Sequence, residues 1–192
     1  LFKHTLPNYG IETRFVDFDD LEGVKQAVDS NTRVVFFETI SNPQMVVPDF
    51  EKISEFAKTN DLICIVDSTV TSPYLFQACE YDVDIVIHST TKYISGGATS
   101  VGGIIIDMGK ANWDKIPSLE KYKNLQPSPF LARLRKEVYR NTGSCLSPQA
   151  AYLQSLGLET LSLRISQSSS NALNIARMLE KSSKVKQVHY PG

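Results

Sequence analysis

The chain has 192 residues, 42% of them hydrophobic and 21% charged, with 10 glycines and 9 prolines. That composition suits a globular domain with a sizeable core and excludes a disordered tail or a collagen-like stalk. Lys plus Arg (20) nearly balance Asp plus Glu (21), for a net charge of −1, so no excess of positive charge exists to hold a phosphate backbone and nucleic acid is a poor partner. No apolar run approaches the ~18 residues of a spanning helix, so no membrane partner is expected. Cys64, Cys79 and Cys145 are widely spaced and odd in number, which suggests neither a disulfide framework nor a zinc site. A reducing cytoplasm fits that usage.

The chain opens at Leu1 without a signal-peptide pattern and closes at Pro191-Gly192; it reads as an internal piece of a longer protein. Ile11 to Val16 alternates apolar with polar and predicts a strand. Asp19 then caps a short helix with Leu21, Val24, Ala27 and Val28 on one face. Arg33 to Glu38 is a continuous apolar run, expected to be a strand buried on both faces. Pro48 suits the first turn of a helix carrying Phe50, Ile53, Phe56 and Ala57. Leu62 to Val66 predicts a second buried strand ending at Asp67, Tyr74 to Glu80 a short helix, Asp84 to His88 a third strand and Val101 to Asp107 a fourth. From Pro129 the pattern turns helical, with one long helix expected through Leu158, Leu161, Ile165, Ala172, Ile175 and Leu179, then a strand from Val185 to Tyr190. Strands alternating with helical patterns predict an α/β fold, a mostly parallel sheet with helices on both faces.

In such a sheet ligands bind beyond the carboxyl ends of the strands. The first buried strand delivers Glu38 and then Asn42-Pro43 there, the second Asp67-Ser68-Thr69, the third His88-Ser89-Thr90-Thr91-Lys92. A desolvated lysine amine forms Schiff bases with carbonyls. A carboxylate beside a pyridine nitrogen keeps it protonated and makes the ring an electron sink, while hydroxyls and loop N–H groups suit a phosphate. Aldehyde, pyridine nitrogen and phosphate together describe pyridoxal phosphate.

At these residues the chain resembles the Cys/Met-metabolism (trans-sulfuration) enzymes, pyridoxal-phosphate enzymes of the aspartate-aminotransferase fold, fold type I. The segments that carry the resemblance are Glu38 to Pro43, Asp67-Ser68-Thr69, Ser89 to Tyr93 with Gly96-Gly97, Gly10-Ile11-Glu12, Leu146-Ser147-Pro148, Gly157 to Leu161 and His189 to Gly192. They span essentially the whole chain in order. The resemblance implies that Lys92 is the Schiff-base lysine that later shuttles protons and that Asp67 partners the pyridine nitrogen, both catalytic. It implies further cofactor contacts: Ser89 and Thr91 at the phosphate, Asn42 at the ring oxygen, Thr69 against the cofactor and Glu38 as an active-site carboxylate. Ser68 and Val70 stand where the family usually has Asn and an aromatic, which blurs the subfamily. The run Gly96 to Asp107 and Trp113 resemble the O-acetylhomoserine sulfhydrylase branch, which acts by γ-replacement. A methionine γ-lyase or cystathionine lyase is the alternative, and a non-catalytic domain on the same fold a second.

By the same resemblance, residues 1–145 are part of a cofactor-binding large domain, and residues 146–192 are a helix leading into a C-terminal domain. An amino-acid substrate and a homo-oligomer, a dimer or a tetramer, are implied as partners. An aromatic that stacks on the cofactor and a glycine phosphate contact are implied upstream of Leu1, an arginine for the substrate carboxylate downstream of Gly192, so these residues alone are expected to be inactive. Other features have plainer readings. His88 is expected to be a buried strand-end histidine rather than a base, and His4 and His189 are too scattered for a metal. Cys64 is expected to be inert packing. The glycines of Gly96 to Gly103 fit no nucleotide-binding pattern.

Overall fold

In the computed structural model, which describes residues 1–192, the chain divides into two units, Leu1–Arg33 and Val34–Gly192. In the first, a single 3-10 turn, Leu6–Tyr9, is closed by Gly10 in the left-handed conformation at φ 72°, where glycine carries no Cβ penalty. Residues 11–17 form no strand. Their alternation meets no partner ladder; instead Arg14 holds the segment, donating to Glu12 at 2.6 Å, to Asp29 at 2.8 Å and to Ala27 O at 2.8 Å. Helix α1 runs Leu21–Gln26, and its cap is Asp20 rather than Asp19, accepting from Gly23 N–H at 3.0 Å.

The second unit is built on a four-stranded sheet in the order β1 (Val34–Glu38), β2 (Ile63–Asp67), β3 (Ile85–His88) and β4 (Ile104–Asp107). The first three are parallel, and β4 runs antiparallel to β3. The link from β3 to β4, residues 89–103, contains no helix, and a parallel return needs a crossover of that kind. β1 is not buried on both faces: Val35 and Phe37 are buried, with Phe37 against Phe50, whereas Val34, 46% exposed, and Glu38 lie on a face that nothing covers fully.

Helix α2 (Phe50–Thr59) is capped by Asp49, which accepts from Lys52 N–H at 3.0 Å; such a cap contributes ~1 kcal/mol. Pro48 therefore precedes the cap instead of starting the helix. Phe50 lies 6.2 Å from Phe37 of β1, 4.9 Å from Phe76 and 5.6 Å from Tyr81, pairs worth roughly 0.5–1.5 kcal/mol each beyond their buried area. With Ile53, Ala57, Cys64 and Val66, all nearly fully buried, they form the core on this face. The segment after β2 makes one turn, α3 (Ser72–Leu75), and a 3-10 turn, Ala78–Glu80, in place of a continuous helix over Tyr74 to Glu80.

From Pro129 the chain is helical as expected: α4 (Pro129–Arg133), a π-type stretch Leu134–Tyr139 and α5 (Arg140–Thr142). The long helix is two helices, α6 (Pro148–Glu159) and α7 (Leu161–Glu180), broken at Thr160 with φ −108° and ψ 5°. The break leaves Gly157 O open to Arg164 Nη2, which reaches it while Nε donates to Thr160 Oγ1. Val185 to Tyr190 forms no strand; no neighbouring strand pairs with it, and a ladder needs one. No helix is long and apolar enough to cross a membrane.

Candidate functional site

Three parallel strands end in step. Glu38 of β1 is in register with Asp67 of β2, and Asp67 with Ile87 of β3. Side chains alternate along a strand, so Glu38, Asp67 and Ile87 share one face of the sheet. Phe37, Val66, Val86 and His88 share the other. Beyond the strand ends the loops are tied together: Thr69 N–H donates to Asp67 Oδ1 at 2.9 Å, and Ser89 N–H donates to Thr69 Oγ1 at 2.8 Å. Asp67 is thereby anchored through one oxygen while Oδ2 has no protein partner. Asn42 N–H donates to Glu38 Oε2 at 3.0 Å, which folds the Asn42 loop over the end of β1; both residues are exposed.

Lys92 follows Ser89 by one tight turn, its N–H donating to Ser89 O at 3.2 Å. The Lys92 amine pairs with no carboxylate, and the Ser89 hydroxyl has no protein partner. Thr91 is differently employed. Its Oγ1 accepts from Gly102 N–H at 2.9 Å and donates to Gly102 O at 3.1 Å, stapling the two ends of the loop. Ser95 Oγ donates to Thr91 O at 2.9 Å, and Ser95 N–H to Thr90 O at 3.0 Å. Thr90 Oγ1 is buried with no partner.

The opposite face carries support for this edge. Thr71 Oγ1 lies 2.8 Å from Thr39 Oγ1 and 2.9 Å from Ser68 Oγ, in a buried chain that joins the ends of β1 and β2. Ser72 beside it holds a left-handed φ of 56° while almost fully buried, a conformation that costs a non-glycine residue energy and persists only where its surroundings impose it. His88 Nδ1–H donates to Ser68 O at 3.0 Å, which leaves the neutral tautomer with its proton on Nδ1. Burial pushes the imidazole below its ordinary 6.5, against the hydrogen bond to Ser68 and the nearby Asp67 charge. His88 is a strand-end structural residue on the far face from Asp67. Burial likewise pushes the Cys64 thiol up to about 12, so it is unreactive.

One neighbour of the lysine loop is invisible in sequence: Arg164, which donates to Tyr93 O at 2.8 Å from 71 positions away. Its only local cue is the i, i+4 spacing from Thr160. Two cavities lie elsewhere. One of about 560 Å³ is lined by residues of the first unit, Phe2, Pro7, Ile11 and Phe15 among them. The other, of about 390 Å³, lies at the opposite end of β2 and β3 among Lys58, Asp61, Asp82, Asp84 and Lys110. No group of three or more His, Cys, Asp or Glu side chains is placed to hold a metal.

The donor set fits pyridoxal phosphate: an unpaired lysine amine, a carboxylate with one free oxygen two strand-positions away from a hydroxyl-bearing loop, and an uncommitted serine hydroxyl, all at one sheet edge. Comparison with known proteins points the same way. Homocysteine/cysteine synthase of Saccharomyces cerevisiae is 39% identical over 209 residues, covering 100% of this chain and 46% of that protein. The solved structure of an O-acetylhomoserine sulfhydrylase of Wolinella succinogenes superposes with a TM-score of 0.90 at 49% identity, over 99% of this chain and 54% of that one. A candidate O-acetylhomoserine (thiol)-lyase of Campylobacter jejuni, solved with N'-pyridoxyl-lysine-5'-monophosphate, superposes at 0.87 with 36% identity, over 98% and 49%. The chain spans about half the length of the curated relatives it matches. The family described as Cys/Met metabolism PLP-dependent enzyme matches all of residues 1–192, and the chain belongs to that family.

Proposed function

We propose that the chain is the lysine-bearing half of an O-acetylhomoserine sulfhydrylase, which replaces the acetate of O-acetylhomoserine by sulfide or a thiol. The observation that supports the reading is the register of β1 to β3 with the tie that runs from Asp67 through Thr69 to Ser89, the residue that accepts from the Lys92 N–H. The names of the similar proteins support the choice of replacement over elimination.

Pyridoxal phosphate, when bound, supplies an electron sink for charge developed at the substrate's α-carbon. Lys92 Nζ would hold the cofactor covalently and, once the substrate's amine has displaced it, take the proton from that carbon. Asp67 Oδ2 would hold the proton on the ring nitrogen; Thr69 N–H, by fixing Oδ1, sets its direction. Ser89 is the uncommitted hydroxyl for the phosphate, and Thr91 can join it only by giving up its bond to Gly102 O. Asn42 would face the ring oxygen, with Glu38 holding the Asn42 backbone in place. Lys92 is exposed in these 192 residues, so exclusion of water from the amine would fall to further parts of the protein or to a neighbouring subunit.

The same reading makes residues 1–145 part of the cofactor domain and 146–192 its exit, and makes the protein a cytoplasmic homo-oligomer, a dimer or a tetramer. Three free cysteines support a reducing compartment, and the exposed Leu163, Ile175 and Met178 of α7 support association. In the full-length protein, Lys92→Ala should abolish both the visible absorption that appears on adding the cofactor and turnover of O-acetylhomoserine with sulfide. Turnover in that variant would sink the assignment, and preferential cleavage of methionine or cystathionine without added thiol would reassign the chemistry to elimination.

A further inference from the structure

Upstream, the backbone of Lys92 is held by Ser89 O. Downstream, Lys92 O accepts from Ser95 Oγ at 3.3 Å, and the carbonyl of the next residue, Tyr93, is held from α7. The guanidinium of Arg164 spreads over three acceptors: Nη1 donates to Tyr93 O at 2.8 Å, Nη2 to Gly157 O at 2.7 Å and Nε to Thr160 Oγ1 at 3.0 Å. Its flat face lies on Gly96, where a Cβ would come within 3.2 Å of Cζ and where φ is +79°. Gly157, in turn, abuts the peptide that follows: a Cβ there would stand 2.3 Å from Ile94 O and 2.5 Å from Ser95 C and O. Arg164 makes no ion pair, so its charge is spent on carbonyls of two segments that the sequence keeps far apart. A guanidinium presents its donors in a fixed plane and stays charged at any working pH, so it can set the relation of two backbone segments; an ammonium is a point charge and cannot.

We propose that Arg164 is a positioning residue for Lys92: it ties Tyr93 O to the α6–α7 elbow and so fixes the direction in which the lysine leaves its loop. The proposal rests on the reading of Lys92 as the cofactor-bearing lysine. Fixing the chain on both sides of Lys92, at Ser89 and at Tyr93, matters because a misplacement of about 1 Å at a reacting group costs about a hundredfold in rate.

The test uses the full-length protein with Arg164→Gln, and with Arg164→Lys, which keeps the charge and the α7 packing while reaching one carbonyl. Arg177→Ala, on an exposed position of the same helix, is the control. In the cofactor-free protein, amide hydrogen exchange at Lys92 and Ser95 should rise about tenfold or more, the loss of a charge-assisted bond, with the amides of β1 to β3 unchanged. In the loaded protein the pH midpoint of the visible absorption should move, and kcat should fall about a hundredfold with KM little altered. Unchanged exchange in both variants overturns the clamp. Faster exchange with an unmoved pH midpoint and normal kcat overturns its link to Lys92 while leaving the functional reading standing. Borohydride fixation of the cofactor on a lysine other than Lys92 in the unaltered protein overturns both.

Discussion

Replacing Gly157 by Ala sets two effects of opposite sign against each other within α6. In an open helix interior the change stabilises by ~0.5–1 kcal/mol, since alanine surrenders less backbone freedom than glycine. In this structure the added Cβ would stand 2.3 Å from Ile94 O and 2.5 Å from Ser95 C and O, against an ordinary contact distance of 3.4–4 Å. All three atoms are backbone, so no side-chain rotation relieves the overlap, and α6 must part from the lysine loop by about 1 Å. Forcing a methyl into a filled site costs roughly 1–3 kcal/mol. Set against the helix gain, that leaves a net destabilisation of roughly 0–2.5 kcal/mol, and because all three opposing atoms are backbone the upper half of that range is expected. Urea unfolding reads it as a lower midpoint at constant slope. Gly97→Ala is the matched control: nothing lies within 4 Å of its Cβ, and it should stay within about 0.5 kcal/mol of the parent. A Gly157→Ala protein as stable as the parent, or more so, would refute the close approach of α6 to Ile94 and Ser95.

Thr71→Val should cost about 1 kcal/mol or more, because it removes the short partner of two buried hydroxyls and leaves each only a long contact, Thr39 Oγ1 to Asp67 O at 3.4 Å and Ser68 Oγ to Ser72 O at 3.5 Å; with Thr39→Val added, the double variant should lose less than the sum of the two single changes. For His88 the folded-state pKa lies below 6.5, so between those two values the unfolded chain binds the proton more readily. Its contribution to stability is complete above pH 6.5 and is lost as the pH falls through that window. The stability difference between the parent and His88→Gln, followed by urea unfolding against pH, should therefore narrow on acidification; a difference flat across the window contradicts a buried neutral imidazole. A disulfide thiol reagent at pH 8 should modify the exposed Cys79 and Cys145 at once. Cys64, buried and with its thiol raised to about 12, should react only on unfolding, and prompt reaction of three thiols would contradict that burial.

What could be read in advance was what is local. The runs ending at Asp67 and His88 carry their own strand signal, and the hydroxyls and lysine follow at once, so the contents of the sheet edge were open to inspection. The strands expected at Ile11 to Val16 and Val185 to Tyr190 fail for a shared reason: alternation states a preference, and only a partner ladder makes a strand. The break at Thr160 was hidden because the leucine and isoleucine spacing runs through it; the residue that exploits the break, Arg164, finds its acceptor across 71 positions. Thr91 shows the same limit at the site itself. Its place beside Lys92 suggests a phosphate contact, whereas the fold engages its hydroxyl with both backbone groups of Gly102, a pairing set by the route of the loop and by nothing adjacent in sequence. His88 was decided by parity alone, one residue past Ile87 and so on the face away from Asp67.

The central claim is that one amine on this edge carries the cofactor. Full-length protein incubated with pyridoxal phosphate, reduced with borohydride and digested, should yield a single pyridoxyl-modified peptide with the label on Lys92. A label on Lys58, Lys110 or any other lysine, or no label at all, contradicts the account.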